Sequence, residues 1–221
     1  MTTTAPLVLD GPSRVLETSQ LVIRTALVSE AGNDAYLLTC RATGEQLLVD
    51  AADHAPRLLL LLREGRRDGH LAQVLTTHRH GDHTGALAEV VAATSARTLA
   101  GEDDADALPV PVDVRLAHGD EVVVGEVVLR AVHLRGHTPG SIALVHRDAD
   151  GSTHAFTGDS LFPGGVGNTQ KDPVRFAQLL GDVEERLFCL PDDTVVHPGH
   201  GEGTTLGAER PHLGEWRERG W

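Results

Sequence analysis

The sequence is short of the residues that mark several common protein classes. It has one lysine, Lys171, and its arginines are scattered. It therefore lacks the clustered cations that track a phosphate backbone or hold an anionic membrane. It has two cysteines, Cys40 and Cys189, far apart and in no Cys-x-x-Cys pair. That excludes a disulfide framework and suggests two free thiols serving as small buried hydrophobes in a reducing compartment. Long apolar runs are missing too. The longest, Leu58 to Leu62, is bracketed by Arg57 and Arg63 and is far too short to cross a bilayer. The opening MTTTAPLVLDGPSR has neither a basic start nor an apolar stretch of signal-peptide length. These absences point to a soluble, cytoplasmic protein that acts on a small molecule, without nucleic-acid or membrane partners.

Hydrophobic residues make up 40% of the 221 positions, enough for a packed core, and no linker or low-complexity tract divides the chain, so residues 1–221 read as a single domain. Nineteen basic against 32 acidic side chains leave a formal charge of −13, which favours solubility. The acidic stretch Glu102–Asp106 reads as an exposed loop. Two tryptophans near the end, Trp216 and Trp221, suit a cap on the core or a contact between copies. The unusual abundance is thirteen histidines. Histidine is the commonest metal ligand, so their clustering matters.

Hydrophobic patterning gives strands at Leu21–Val28, Ala35–Cys40, Gln46–Asp50 and Leu71–Thr77, with turns at Gly32-Asn33-Asp34 and Thr43-Gly44. Helices are expected over His54–Arg67 and Thr84–Ser95. In the second half, Glu121 to Val132 reads as a hairpin turning at Gly125. Ser141–Arg147 and Thr153–Asp159 read as strands joined by Asp148–Gly151. Pro173–Phe188 reads as an amphipathic helix with Asp172 as its N-cap. Asp193–Gly201 is a last strand running into a glycine turn. Each half places strands before helices, the signature of two sheets packed face to face with helices outside, an α/β four-layer αββα sandwich.

The sharpest signal is THRHGDHTG, Thr77 to Gly85, directly after a buried strand. His78 and His80 are two apart, so extended chain projects them to one side, and Asp82 with His83 then enters a helix. Four ligand-type side chains at a strand tip form a ready metal shell, whereas a lone histidine would be a solvated loop residue. Three more segments repeat one grammar, an apolar strand and then a ligand-type residue in a tight turn. LRGHTPGS carries His137, TGDSLF carries Asp159 and HPGHG carries His200. Ser160 has no evident base beside it and reads as a turn residue. His54, His70, His118, His146, His154 and His212 sit in surface-like contexts. His133 and His197 read as structural, at most touching the site's edge.

In that order, THRHGDH, GHTPGS, TGDSLF and PGHG resemble the metallo-β-lactamase superfamily, over roughly Leu21 to Gly201. The resemblance implies two related halves and a two-metal site. His78, His80 and His137 would bind one ion, Asp82, His83 and His200 the second, and Asp159 would bridge them. Asp82 and Asp159 are the carboxylates it places in the catalytic step, and Asp50, in LLVDAA, would support a ligand loop by hydrogen bonding. The cofactor implied is two divalent ions, Zn2+ foremost, with Fe or Mn as alternatives. A bridging hydroxide would attack a carbonyl or phosphoryl centre. GHTPGS with GDSLF looks most like the glyoxalase II branch, hydrolases of hydroxyacyl thioesters. The chain ends about twenty residues after His200, where larger members continue into a helical thiol-binding domain, so another thioester, a lactone or another ester is equally open. A mononuclear-iron persulfide dioxygenase and a metal-binding module without catalysis are the alternatives. Asn168, Lys171 and Arg175 follow the bridging aspartate and are candidates to face an anionic substrate. Each can equally be part of a solvated helix entry.

Overall fold

The computed structural model describes residues 7–220. The alternating and continuous apolar runs of the first half build a seven-stranded sheet. Its strands, in spatial order, are β1 (Arg14–Glu17), β2 (Leu21–Leu27), β3 (Asp34–Cys40), β4 (Gln46–Val49), β5 (Gln73–Thr76), β6 (Arg97–Gly101) and β7 (Val114–Leu116). The first four pair antiparallel and the last four parallel. A second sheet uses β8 (Glu121–Val124), β9 (Val127–His133), β10 (Ile142–Arg147) and β11 (Thr153–Gly158). A small ribbon, β12 (Leu161–Phe162) and β13 (Gly165–Val166), follows. Then β14 (Val195–Pro198) joins β11 in parallel and β15 (Thr204–Thr205) closes the edge. The second sheet runs β15-β14-β11-β10-β9-β8.

Three apolar clusters separate four layers. Between the sheets, Ile23, Tyr36, Leu38, Leu47, Val49 and Leu75 meet Val124, Leu129, Ile142, Leu144 and Phe156. On the outer face of the first sheet, Leu37, Leu48 and Val74 pack under α1 (Ala55–Gly65) and α2 (Leu87–Thr94). Helix α3 (Glu102–Ala105) is a single turn after β6. On the outer face of the second sheet, Val132, Ala143 and Val196 lie under α4 (Pro173–Arg186) and the C-terminal α6 (Leu213–Arg219), which follows the short α5 (Leu206–Glu209). Odd and even positions of β3 and β4 thus feed different layers, the consequence of a period of two in a sheet covered on both faces. The result is the αββα sandwich expected. Helix α4 buries Phe176, Leu179, Leu180 and Val183 at helical spacing, and the Asp172 carboxylate accepts from the backbone N–H of Val174 and Arg175, as an N-cap does. Trp216 is buried in the same layer, and Trp221 lies outside the described residues. No helix among the described residues is long and apolar enough to cross a membrane.

Several expectations need correction. Asp34 is not a turn residue but the first residue of β3, with its side chain buried. Glu102–Asp106 is not an exposed loop: α3 turns Asp104 completely inward. Cys189 is exposed, unlike the buried Cys40, because it falls just beyond α4. His146 and His154 are buried rather than solvated. Their strands carry them inside, where His146 Nδ1 lies 3.2 Å from the Val128 carbonyl and His154 Nδ1 lies 3.1 Å from His197 Nε2. His197 stacks on Phe156 with 4.7 Å between ring centroids, and burial holds its pKa down to about 3. Strands β1, β7 and β15 are short edge elements, and β6 (RTLAG) shows neither polar alternation nor a sustained apolar run, so the pattern does not mark them.

Leu179 on the inner face of α4 is fully buried, whereas Leu60 on α1 is 53% exposed. Leu179→Ala is expected to cost about 2–5 kcal/mol in urea unfolding and Leu60→Ala less than about 0.5 kcal/mol.

Candidate metal centre

Four turns at one edge of the sandwich hold the ligand-type residues. The first follows β5 and carries His78, His80, Asp82 and His83, the last two in a 3-10 turn spanning Gly81–His83. The connection between β9 and β10 carries His137. The end of β11 leads to Asp159 and the end of β14 to His200. The sheets are joined at this edge by the Ile142 N–H, which donates to the Thr77 carbonyl at 2.8 Å. Close approach needs a glycine: a Cβ on Gly199 would stand 2.3 Å from Asp159 Oδ1 and 2.6 Å from His83 Cε1.

The structure brings all seven side chains together. Their ligand atoms form three overlapping groups, His78/His80/His137, His78/His83/Asp159 and Asp82/His83/His200, each with its atoms within 4.8 Å of one another. Between neighbours, His78 Nε2 lies 3.1 Å from His80 Nδ1, and His83 Nε2 lies 3.2 Å from His200 Nε2. Asp159 stands centrally, with Oδ1 3.3 Å from His83 Nε2 and Oδ2 3.6 Å from both His137 Nε2 and His200 Nε2. Asp82 is the open member, about half exposed and 3.3 Å from His200 Nε2.

The opposite ring nitrogens decide which atoms face inward. His83 Nδ1 donates to Asp50 Oδ2 (2.8 Å), His137 Nδ1 to the Asn168 carbonyl (2.8 Å) and His200 Nδ1 to the Ala31 carbonyl (3.2 Å). Thr77 gives its hydroxyl proton to Asp50 Oδ2, so its oxygen is left to accept from His78 Nδ1 at 3.1 Å. Each of these four rings, when neutral, therefore presents an Nε2 lone pair to the centre, the tautomer a metal requires. Asp50 also takes the Thr77 N–H at 2.7 Å. It does this from a left-handed backbone (φ 59°), a costly conformation for a residue other than glycine that is held by its three donors.

The electrostatics ask for a cation. His137 Nε2 is buried and has no hydrogen-bond partner. Burial and the neighbouring rings keep His78 well below the usual histidine range, and burial likewise lowers His137. His83 goes the other way: burial disfavours its charge, but Asp50 and Asp159 together lift it to about 10. Asp159 and Asp82 stay below the usual carboxylate range: burial is outweighed at Asp159 by the surrounding imidazoles, and at Asp82 first by the Asn33 amide and then by His83 and His200. Two carboxylates among convergent imidazole lone pairs make a donor set suited to divalent ions of the zinc or iron class.

Two residues beyond those expected complete the frame. Asn33, fully buried, donates from Nδ2 to Asp82 Oδ2 at 3.2 Å and lies 3.2 Å from His200 Nε2. Asp104 accepts from the Arg79 N–H (3.1 Å), the Gly140 N–H (3.1 Å) and the Thr138 hydroxyl (2.5 Å), so one carboxylate ties the His78–His83 loop to the His137 turn. Neither carried a usable signal, since Asn33 sat in a turn motif and Asp104 in an acidic run. The residues proposed for substrate are separated by the fold. Asn168 and Lys171 line a cavity of about 500 Å³ with Phe162 and Val166. Arg175 lines another, about 400 Å³, with Arg79 and His80, and its guanidinium donates to the carbonyls of Gly136 and His137, bracing that turn.

Removing the Asp104 carboxylate strands three donors in the interior. Asp104→Ala is expected to lose at least about 3 kcal/mol in chemical unfolding, and Asp104→Asn clearly less, because its amide oxygen still accepts.

Comparison with known proteins agrees with this geometry. The family model of the metallo-beta-lactamase superfamily matches residues 29–200. A hydroxyacylglutathione hydrolase of Cereibacter sphaeroides is 39% identical over 168 residues, 76% of this chain and 62% of that protein. The chain thus spans about three-fifths of the length of the curated relatives it matches. Among solved structures, the ETHE1 protein of Myxococcus xanthus has a TM-score of 0.74 at 31% identity, covering 86% of this chain and 82% of its own. A protein solved in a di-iron-bound form has a TM-score of 0.69 at 32% identity, covering 84% and 96% respectively. By motif order, fold and these relatives, the chain belongs to the metallo-β-lactamase superfamily.

Proposed function

We propose that this protein is a metal-dependent hydrolase of a thioester or ester, of the hydroxyacyl-thiol kind. The observation that carries the reading is the complete set of seven convergent side chains, four of them imidazoles fixed with Nε2 inward. His78, His80 and His137 would hold one divalent ion and Asp82, His83 and His200 the other, with Asp159 between them; Zn2+ is the first choice and Fe or Mn the alternatives. Ions held there would supply Lewis acidity toward a carbonyl and a hydroxide nucleophile at neutral pH. The chain's own residues do the rest. His78 and His83 form the buried floor, while His80, Asp82 and His200 stand at the mouth where an acyl group enters. Asn33 holds the Asp82 carboxylate toward the centre. Lys171, beside the cavity lined by Phe162, would meet an anionic group on the thiol or acyl part.

The relatives named hydroxyacylglutathione hydrolase support the thioester, though they are longer than this chain. The thiol carrier is therefore left open between glutathione and another small thiol. The competing reading, a persulfide dioxygenase with one iron, leaves Asp82, His83 and His200 without a ligand role. Their inward placement favours the hydrolase.

Elemental analysis of protein purified without chelators is expected to give about two zinc-class ions per chain, together with hydrolysis of a lactoyl thioester. Roughly one iron per chain, with oxygen uptake and no hydrolysis, would overturn the reading in favour of the dioxygenase. Asp50→Ala is expected to weaken metal binding about 10–100-fold in a chelator competition, because His83 and the Thr77 loop lose their orienting acceptor.

A further inference from the structure

A cavity of about 580 Å³ lies away from the metal centre. It opens at the side of the sandwich where β1, β2 and β3 face β14 and β15, and none of the seven clustered residues lines it. Its walls combine apolar side chains, Leu16, Ile23, the Tyr36 ring and Val196, with polar ones that include the Arg14–Glu202 ion pair. Leu16 is 40% exposed at the rim. The volume falls in the range of small-molecule sites.

One of the polar lining residues is a buried acid. Asp34 occupies an inward position of β3, in line with Tyr36, Leu38 and Cys40, which belong to the core between the sheets. It is 97% buried by the complement of its 3% exposure, yet its Oδ1 has no hydrogen-bond partner. Burial lifts its pKa to about 7 against the pull of Arg14, with Glu202 opposing that pull. Arg14 is itself engaged, donating to both oxygens of Glu202 at 3.0 and 3.2 Å. Arg14 is thus shared with Glu202 and offsets the Asp34 charge only in part. Buried carboxylates are ordinarily paired, and an apolar residue at this position would be more stable. A buried acid with a free oxygen facing a partly apolar cavity is the arrangement of a ligand site.

We propose that this cavity is a second ligand site, specific for a small amine: an ammonium group that pairs with Asp34, attached to an aliphatic or arylalkyl body that fills the apolar walls. The site is built against the back of the turn that carries His200. The Asp34 N–H donates to the Gly199 carbonyl at 2.9 Å, and the Tyr36 hydroxyl donates to the Pro198 carbonyl at 2.6 Å. Its occupant would thus press on the backbone that sets one ligand of the metal centre. The inference stands apart from the hydrolase reading and needs no particular substrate.

The test is a titration of the full chain with n-hexylamine, followed by amide chemical shifts at pH 8, with 1-hexanol as the uncharged match. Saturable shifts centred on Asp34, Gly201 and Gly203 are expected, with hexanol at least tenfold weaker. Asp34→Asn, which costs no existing hydrogen bond to the carboxylate, is expected to weaken the amine at least tenfold. Leu16→Trp, at the exposed rim, is expected to block the cavity while leaving the fold intact. The proposal is overturned by shifts that do not saturate, by shifts confined to the His78–His83 loop, or by undiminished affinity in both variants.

Discussion

Everything at the metal centre hangs on the carboxylate of Asp50. Its two oxygens take the Thr77 N–H, the Thr77 hydroxyl and His83 Nδ1, at 2.7 to 2.8 Å. Through Thr77 it orders the strand end from which His78 and His80 emerge and fixes the His78 ring. Through His83 it fixes a ring shared by two of the three ligand groups. Thr77 in turn accepts the Ile142 N–H, so the same residue pins the second sheet to the first at the site's edge. A buried charge is expensive unless it is fully hydrogen-bonded, and Asp50 meets that condition within a few residues of the centre it organises.

The sandwich explains why the ligands converge although they come from turns more than a hundred residues apart. Two sheets packed face to face expose their strand ends along a common edge, and a turn after each strand can reach over it. Convergence is then limited by backbone thickness, which is why Gly199 must lack a side chain beside Asp159 and His83. Asp104 adds the complementary device. A single helical turn after β6 carries its carboxylate beneath both the His80 and the His137 loops and ties them to one acceptor.

The centre and the lateral cavity show the same economy from opposite sides. In the centre, unpaired lone pairs are gathered so that a cation can satisfy them. At Asp34, a carboxylate with one unpartnered oxygen is held in a partly apolar wall behind the His200 turn. Both are places where stability alone would favour other residues, and such departures from local consistency are where function concentrates.

How much of this was legible in the sequence follows from range. The strands and helices with sustained period, the Asp172 cap and the turn at Gly125 are set by near neighbours, and they stand where the pattern placed them. The seven ligand-type residues were legible because each motif carries its own strand-and-turn grammar. Burial of individual polar residues was not. Asp104 and Asp34 look like any acid beside a turn, and only the packing of β6 against the His137 turn, or of β3 against β14, turns them inward. Asn33, His146 and His154 were hidden for the same reason, since their partners lie far away in sequence. The local sequence determined which segments form and which side chains can bind a metal. Tertiary packing decided which ring nitrogen faces the centre, which acids are buried and where Arg175 spends its charge, because those depend on contacts between segments that no local pattern encodes.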